Sequence, residues 1–244
     1  VVRGVFHRFV EHSTNSKILQ RRTTQMGVNK LSSYVTTFRM YQFCEKLQVG
    51  PDMNLLVDGN ALVFYLYKHH CIDWTLGGEY AQFQGLLIEY INLWKSNGVK
   101  LCVVFDGSVD SKKMHTSLQR AQKKLDSCDM LFSGYDFYHN GLFHLPAQTL
   151  LICKHTLVTV FSDMCTVVQA SCEADPLIAQ LAQSGKYFAV LSNDSDFMVY
   201  RLPKNVCYVP IDSVQVCSSE DTRKTSKDLF VWIIKNTDVC NGYI

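Results

Sequence analysis

Long apolar runs are missing from this 244-residue chain. No stretch reaches the roughly 20 residues needed to span a bilayer, and the opening residues lack the apolar core of a secretory signal, so no membrane partner is expected. Paired cysteines are missing as well: the 10 cysteines are scattered without a CxxC or a regular spacing. Several of them, including Cys102, Cys153 and Cys165, sit inside apolar runs. That pattern reads as reduced, buried thiols of an intracellular protein, nuclear or cytoplasmic, and excludes a disulfide framework. His69, His70 and Cys71 are adjacent, so their side chains diverge, and no second pair stands at zinc spacing. Neither GxGxxG nor GxxxxGK[ST] occurs, which argues against nucleotide-dependent redox chemistry. One sign of charge does not dominate: the net charge is only +2, so binding of nucleic acid has to come from local clusters.

What the chain does have is acid at the ends of apolar, strand-like runs. LLVDGN ends at Asp58, CVVFDG at Asp106, SCEAD carries Glu173 and Asp175, and LSNDSD carries Asp194 and Asp196. In an open α/β sheet the functional crevice lies outside the carboxyl ends of the strands, so acids leaving successive parallel strands meet there. Two unit charges about 4 Å apart at an effective dielectric near 20 repel by on the order of 4 kcal/mol, which favours protonation or a bound divalent cation. An oxygen-only donor set suits a hard ion, Mg²⁺ or Mn²⁺. Taken singly, Asp58 and Asp106 are ordinary strand-end acids, and Glu173 with Asp175 fits a helix N-terminus. The set of six is what points to a metal.

Residues 1–25 carry Arg3, Arg8, Lys17, Arg21 and Arg22 against Glu11 with no sustained period, and read as a disordered basic extension or an artefact of the gene model. The folded core is expected over 26–211, opening with a short helix through Leu31, Tyr34 and Val35. Strands are predicted at 54–58, 100–105, 166–169 and 187–191, with helical spacing after the first three: 61–70 and 80–94 after the first, 109–127 and 148–161 after the second, and 175–183 after the third. Residues 129–147 read as an insertion, 197–202 and 206–209 as edge strands turned at Pro203, and 212–244 as a truncated C-terminal segment.

The second acid is followed by basic residues, Lys112, Lys113, Arg120, Lys123 and Lys124. Seven residues make about two helical turns, so Lys113 and Arg120 are expected on one face, where both reach a single phosphate. The competing reading is a solvated helix face paired with Asp110 and Asp126. Phe64, six residues past Asp58, reads as a core residue.

The motifs MGVNKL, LLVDGNAL, CVVFDGS, CEADPLIAQLA and VLSNDSDFMVYRLP, over about residues 26–211, resemble the flap-endonuclease and XPG superfamily of PIN-like nucleases, most closely its asteroid branch. The resemblance implies a PIN-like, Rossmann-like parallel β-sheet flanked by helices, with the acidic site at the strand C-terminal ends. It also implies two Mg²⁺ or Mn²⁺ ions held by Asp58, Asp106, Glu173, Asp175, Asp194 and Asp196, with Lys113 and Arg120 on the scissile phosphate. Phe64, Lys112, Lys123 and Lys124 fall on nucleic-acid-binding positions. Asp175 stands where flap endonucleases have a glutamate, and Asp238 in KNTDVC is a weak match to a later family carboxylate. Residues precede the Met-Gly opening, and the helix-hairpin-helix-like DNA clamp is not visible. The expected function is a monomeric, metal-dependent endonuclease acting on single-stranded, overhang or flap DNA in DNA repair. The alternative is a PIN-like scaffold or nucleic-acid adaptor that has lost catalysis.

Overall fold

The computed structural model describes residues 44–51, 53–75, 77–109, 111–132, 143–198, 200, 202–217 and 228–235. Along the chain, β1 (Cys44–Gln48) is followed by β2 (Leu55–Asp58), α1 (Gly59–His69), α2 (Tyr80–Ser96) and β3 (Leu101–Phe105). A 3-10 turn at Ser111–Lys113 then runs into α3 (Met114–Phe132), followed by α4 (Thr149–Val160), β4 (Cys165–Gln169), α5 (Ala174–Ala182) and β5 (Ala189–Ser192). Two further 3-10 turns, Ser195–Met198 and Ile211–Ser213, flank β6 (Cys207–Pro210), and β7 (Gln215–Cys217) and β8 (Asp228–Lys235) close the series. The helix expected near Leu31, and Asp238, lie outside the described residues.

Five strands run parallel in the order β6-β5-β2-β3-β4, the α/β sheet that the strand-helix alternation predicts. Along β2, Leu55 and Val57 face one layer and Leu56 the other, as the period of two requires. The first layer packs Leu62, Leu66, Phe83, Leu87, Trp94 and Leu157 of α1, α2 and α4; the second packs Ala174, Ile178 and Ala182 of α5, with Phe197 and Leu202. β2, β3 and β5 are buried on both faces, which is why they read as continuous apolar runs. Burying one such Leu or Val side chain is worth about 1.5–3 kcal/mol. The strands therefore form a rigid base for whatever sits at their ends.

From β2 the chain builds outward to β3 and β4 on one side, then returns to build β5 and β6 on the other. The order reverses beside β2, and the crevice at such a reversal is where open α/β sheets take ligands.

Two expectations are corrected. Among the described residues of 197–202 there is no edge strand: the chain turns at Ser195–Met198, where the Asp194 Oδ1 accepts the Asp196 amide (3.0 Å) and Phe197 is buried, its ring 6.5 Å from that of Tyr208. Nor is β6 an edge. β8 pairs antiparallel along its outer side, and β1 and β7 both pair with β8. Leu229, Val231 and Ile233 of β8 are buried and extend the first layer past β6.

Candidate metal centre

Asp58 leaves β2 and caps α1, its Oδ1 accepting the Ala61 amide at 3.0 Å. Its Oδ2 accepts the Ser192 hydroxyl at 2.8 Å, from the end of β5 across the reversal point. Ser192 Oγ in turn accepts the Asp194 amide at 3.0 Å. Asp58 is 7 % exposed, and burial pushes its carboxyl up to about 6, opposed by the hydrogen bonds from Ala61 and Ser192 and assisted by Asp106 and Asp194. Burial likewise raises Asp194, with Asp196 adding to the rise and Lys113 and the Asp196 amide opposing it.

Asp106 follows β3. Its amide donates to Asn60 Oδ1 (3.1 Å), and its carbonyl accepts from Gln169 Nε2, whose Oε1 accepts from Lys154 (2.6 Å). Its Oδ1 accepts the Ala174 amide (2.8 Å), so it supplies the cap that Glu173 does not give α5 and sits at the positive end of that helix. The loops after β3 and β4 are zipped together: the Ser108 amide and hydroxyl both donate to the Ser171 carbonyl, at 3.0 and 2.7 Å. This explains the glycine after Asp106, because a Cβ on Gly107 would run into the Ala170 carbonyl.

Those loops carry Glu173 and Asp175 to the same end of the sheet. Asp175, in the first turn of α5, is raised to about 7, first by burial and then by the charges of Asp58, Asp194, Asp106 and Glu173. Its surroundings thus include acids from the ends of β2, β3, β4 and β5. Lys113 donates to both oxygens of Glu173, at 2.6 and 2.8 Å, and this pairing raises the lysine further, with Asp175 and the Tyr200 phenol contributing. Tyr200 is itself raised by burial and by Asp175, Asp196, Glu173 and Asp194.

The remaining sequence candidates separate. Lys113 ends the 3-10 turn that runs directly into α3, and Arg120 lies within that helix. Arg120, Lys123 and Lys124 are exposed along α3. Lys112 lies in the turn, and its side chain is outside the described residues. Phe64 is half-buried and packs edge-on against Phe143 with ring centroids 4.9 Å apart, with the Lys68 ammonium 5.7 Å from its centroid. Ser192, Asn60, Gln169 and Tyr200 went unread in the sequence. Neutral side chains carry no signal until their partners are known, although Asn60 and Ser192 stand inside the acidic motifs.

The donor set fits a hard divalent cation in kind: carboxylate oxygens, several held up in pKa by burial and mutual repulsion. Among the described residues no three of these acids converge closely enough to hold one ion in common.

A parallel α/β core with acids from four strand ends gathered at its reversal point defines a PIN-like class of protein. The profile of proteins described as XPG domain containing matches residues 116–243, over half of the chain. "Single-strand DNA endonuclease ASTE1" of Danio rerio is 32% identical over 179 residues, covering 72% of this chain and 24% of the relative. "Protein asteroid" of Drosophila melanogaster is 26% identical (78% and 21% covered). The human "Constitutive coactivator of peroxisome proliferator-activated receptor gamma" is 22% identical (69% and 19% covered). Among solved structures, the catalytic core of Rad2 in complex with DNA substrate superposes with a TM-score of 0.53 at 15% identity, covering 88% of this chain and 57% of that one, and shares the fold. The chain belongs to the flap-endonuclease and XPG family of nucleases, in its asteroid branch. It spans about a quarter or less of the length of these curated relatives.

Proposed function

We propose that this chain is the catalytic core of a divalent-metal-dependent endonuclease that hydrolyses phosphodiester bonds of single-stranded, overhang or flap DNA in the course of repair. The observation that carries the reading is Asp175, raised to about 7 with Asp58, Asp106, Glu173 and Asp194 all pressing on it. Such a concentration of negative charge calls for cations. Asp58, Asp106, Glu173, Asp175, Asp194 and Asp196 would hold two Mg²⁺ or Mn²⁺ ions, which when bound supply Lewis-acid activation and charge neutralisation for an in-line displacement at phosphorus. The chain's own residues do the rest. Asp58 and Asp106 are held in place by backbone amides of α1 and α5. Lys113, already within reach of Glu173, offers an ammonium to a phosphate oxygen, and Arg120 and Lys124 present charge to the strand farther along α3.

Cleavage of labelled single-stranded, overhang and flap DNA with Mn²⁺, by the parent chain and by Asp194→Asn, tests the reading. The expected outcome is cutting by the parent and a loss of at least about 1,000-fold in the variant, with the fold intact. Equal cutting by both would remove these acids from the chemistry. The likeness to the human coactivator favours a second reading, a non-catalytic scaffold of the same fold. A scaffold need not bind Mn²⁺, and calorimetric titration separates the two.

A further inference from the structure

We infer that Ser192 is a positioning residue that locks Asp58 and Asp194 together for cation binding; the inference rests on the function proposed above and names a further residue of that site. Ser192 ends β5 and is fully buried. The parallel ladder between β2 and β5 pairs Leu55 with Ala189, Leu56 with Val190 and Val57 with Leu191, and the next step of that register sets Asp58 against Ser192. There the backbone ladder gives way to a side-chain bond, Ser192 Oγ to Asp58 Oδ2 at 2.8 Å.

The direction of that bond is fixed by chemistry. Ser192 Oγ already accepts the Asp194 amide at 3.0 Å, and an amide can only donate, so the hydroxyl proton is left for Asp58. The other oxygen of Asp58 is tied to the Ala61 amide. Asp58 is therefore held at two points, by α1 and by β5, and the same hydroxyl anchors the backbone of Asp194. One small side chain thus spans the point where the strand order reverses and fixes two proposed ligands relative to each other. Removing the oxygen would free one Asp58 oxygen and leave the part-buried Asp194 amide without its acceptor. Partners of this kind behind metal ligands are commonly worth 10–100-fold in affinity.

Ser192→Thr and Ser192→Val make a matched pair, nearly the same in shape and different in the hydroxyl, so packing losses cancel between them. Mn²⁺ affinity is measured calorimetrically on the full chain, with thermal unfolding of each variant recorded alongside. The expected result is binding by the Thr variant within a few-fold of the parent, and binding by the Val variant about 10–100-fold weaker than the Thr variant. Equal affinity of the two would overturn the inference. If the added methyl group prevents folding, Ser192→Ala against the parent makes the same comparison without added bulk, and parent-like Mn²⁺ affinity there would overturn it equally. Asp58→Asn keeps the two claims distinguishable. Loss of binding in Asp58→Asn together with equal Thr and Val affinities sinks Ser192 alone, whereas parent-like binding by Asp58→Asn, or no binding by the parent, sinks the metal site and Ser192 with it.

Discussion

Asp58 and Arg120 are both charged residues on the same functional map, yet the regions they stand for are held in opposite ways. Around Asp58 the acids are fixed by hydrogen bonds: Ala61 and Ser192 donate to Asp58, Ala174 donates to Asp106, and the Asp106 amide donates to Asn60. Along α3, by contrast, Arg120, Lys123 and Lys124 are exposed, and so are Met114, Leu118 and Leu125 on the same helix. The described part of α3 buries no side chain. The difference teaches that the acid site is built into the core, while the basic helix projects from it. Lys113 joins the two, standing at the foot of α3 with its ammonium on Glu173.

Among changes that leave the acids in place, breaking that joint should have the largest effect. Lys113→Met is expected to lower DNA cleavage by about 100-fold, the scale for removing one charged donor from a reacting phosphate. Unfolding should change little, since both side chains of the pair are half-exposed, at 58% and 42%, and exposed pairs contribute about 0–1 kcal/mol. A drop in Tm in proportion to the lost activity would make Lys113 a structural tether instead.

The acid cluster can be relieved by removing one charge. Asp175 is raised in the folded state from an ordinary value of 3.8 to about 7, so the fold holds its proton more tightly than the unfolded chain does. With more protons bound in the folded state, metal-free stability falls as pH rises from about 4 to 7. Asp175→Asn is therefore expected to unfold at a Tm roughly 2–4 °C higher than the parent at pH 8 without metal, and at the same Tm near pH 4. Saturating Mn²⁺ should close the gap at pH 8 by stabilising the parent. A variant less stable than the parent at pH 8 would show that the carboxylates do not repel one another.

The smallest effect belongs to the far end of α3. Lys123→Ala with Lys124→Ala should weaken binding of single-stranded DNA and flatten its dependence on salt by about 0.7 per lost phosphate contact, leaving Mn²⁺ affinity unchanged. An unchanged salt slope would mark these lysines as a solvated face.

Much of the central sheet was legible because β2, β3 and β5 are buried along their whole length, and acids follow at or just after their ends. Asp58 after LLV and Asp106 after CVVF are the plain cases. What the sequence hid was pairing at long range. Nothing in CEKLQ announces β1, whose partner β8 lies far along the chain, and the apolar run of β8 gave no sign that it would cover β6. The segment after Asp196 looked strand-like from Phe197 and Leu202, but the Asp194 carboxylate closes a turn there first, and the two side chains reach the core from that turn and the segment after it. Ser192 was hidden for the same reason, since its meaning depends on Asp58, 134 residues away.

The account stands on the carboxylates at the reversal point acting together as a cation site. Its most direct test is calorimetric titration of Mn²⁺ into the parent chain and Asp58→Asn at pH 8 in the absence of DNA. The account predicts saturable binding by the parent and its loss, or a weakening of at least about 100-fold, in the variant. Parent-like binding by Asp58→Asn, or no saturable binding by the parent, would contradict it.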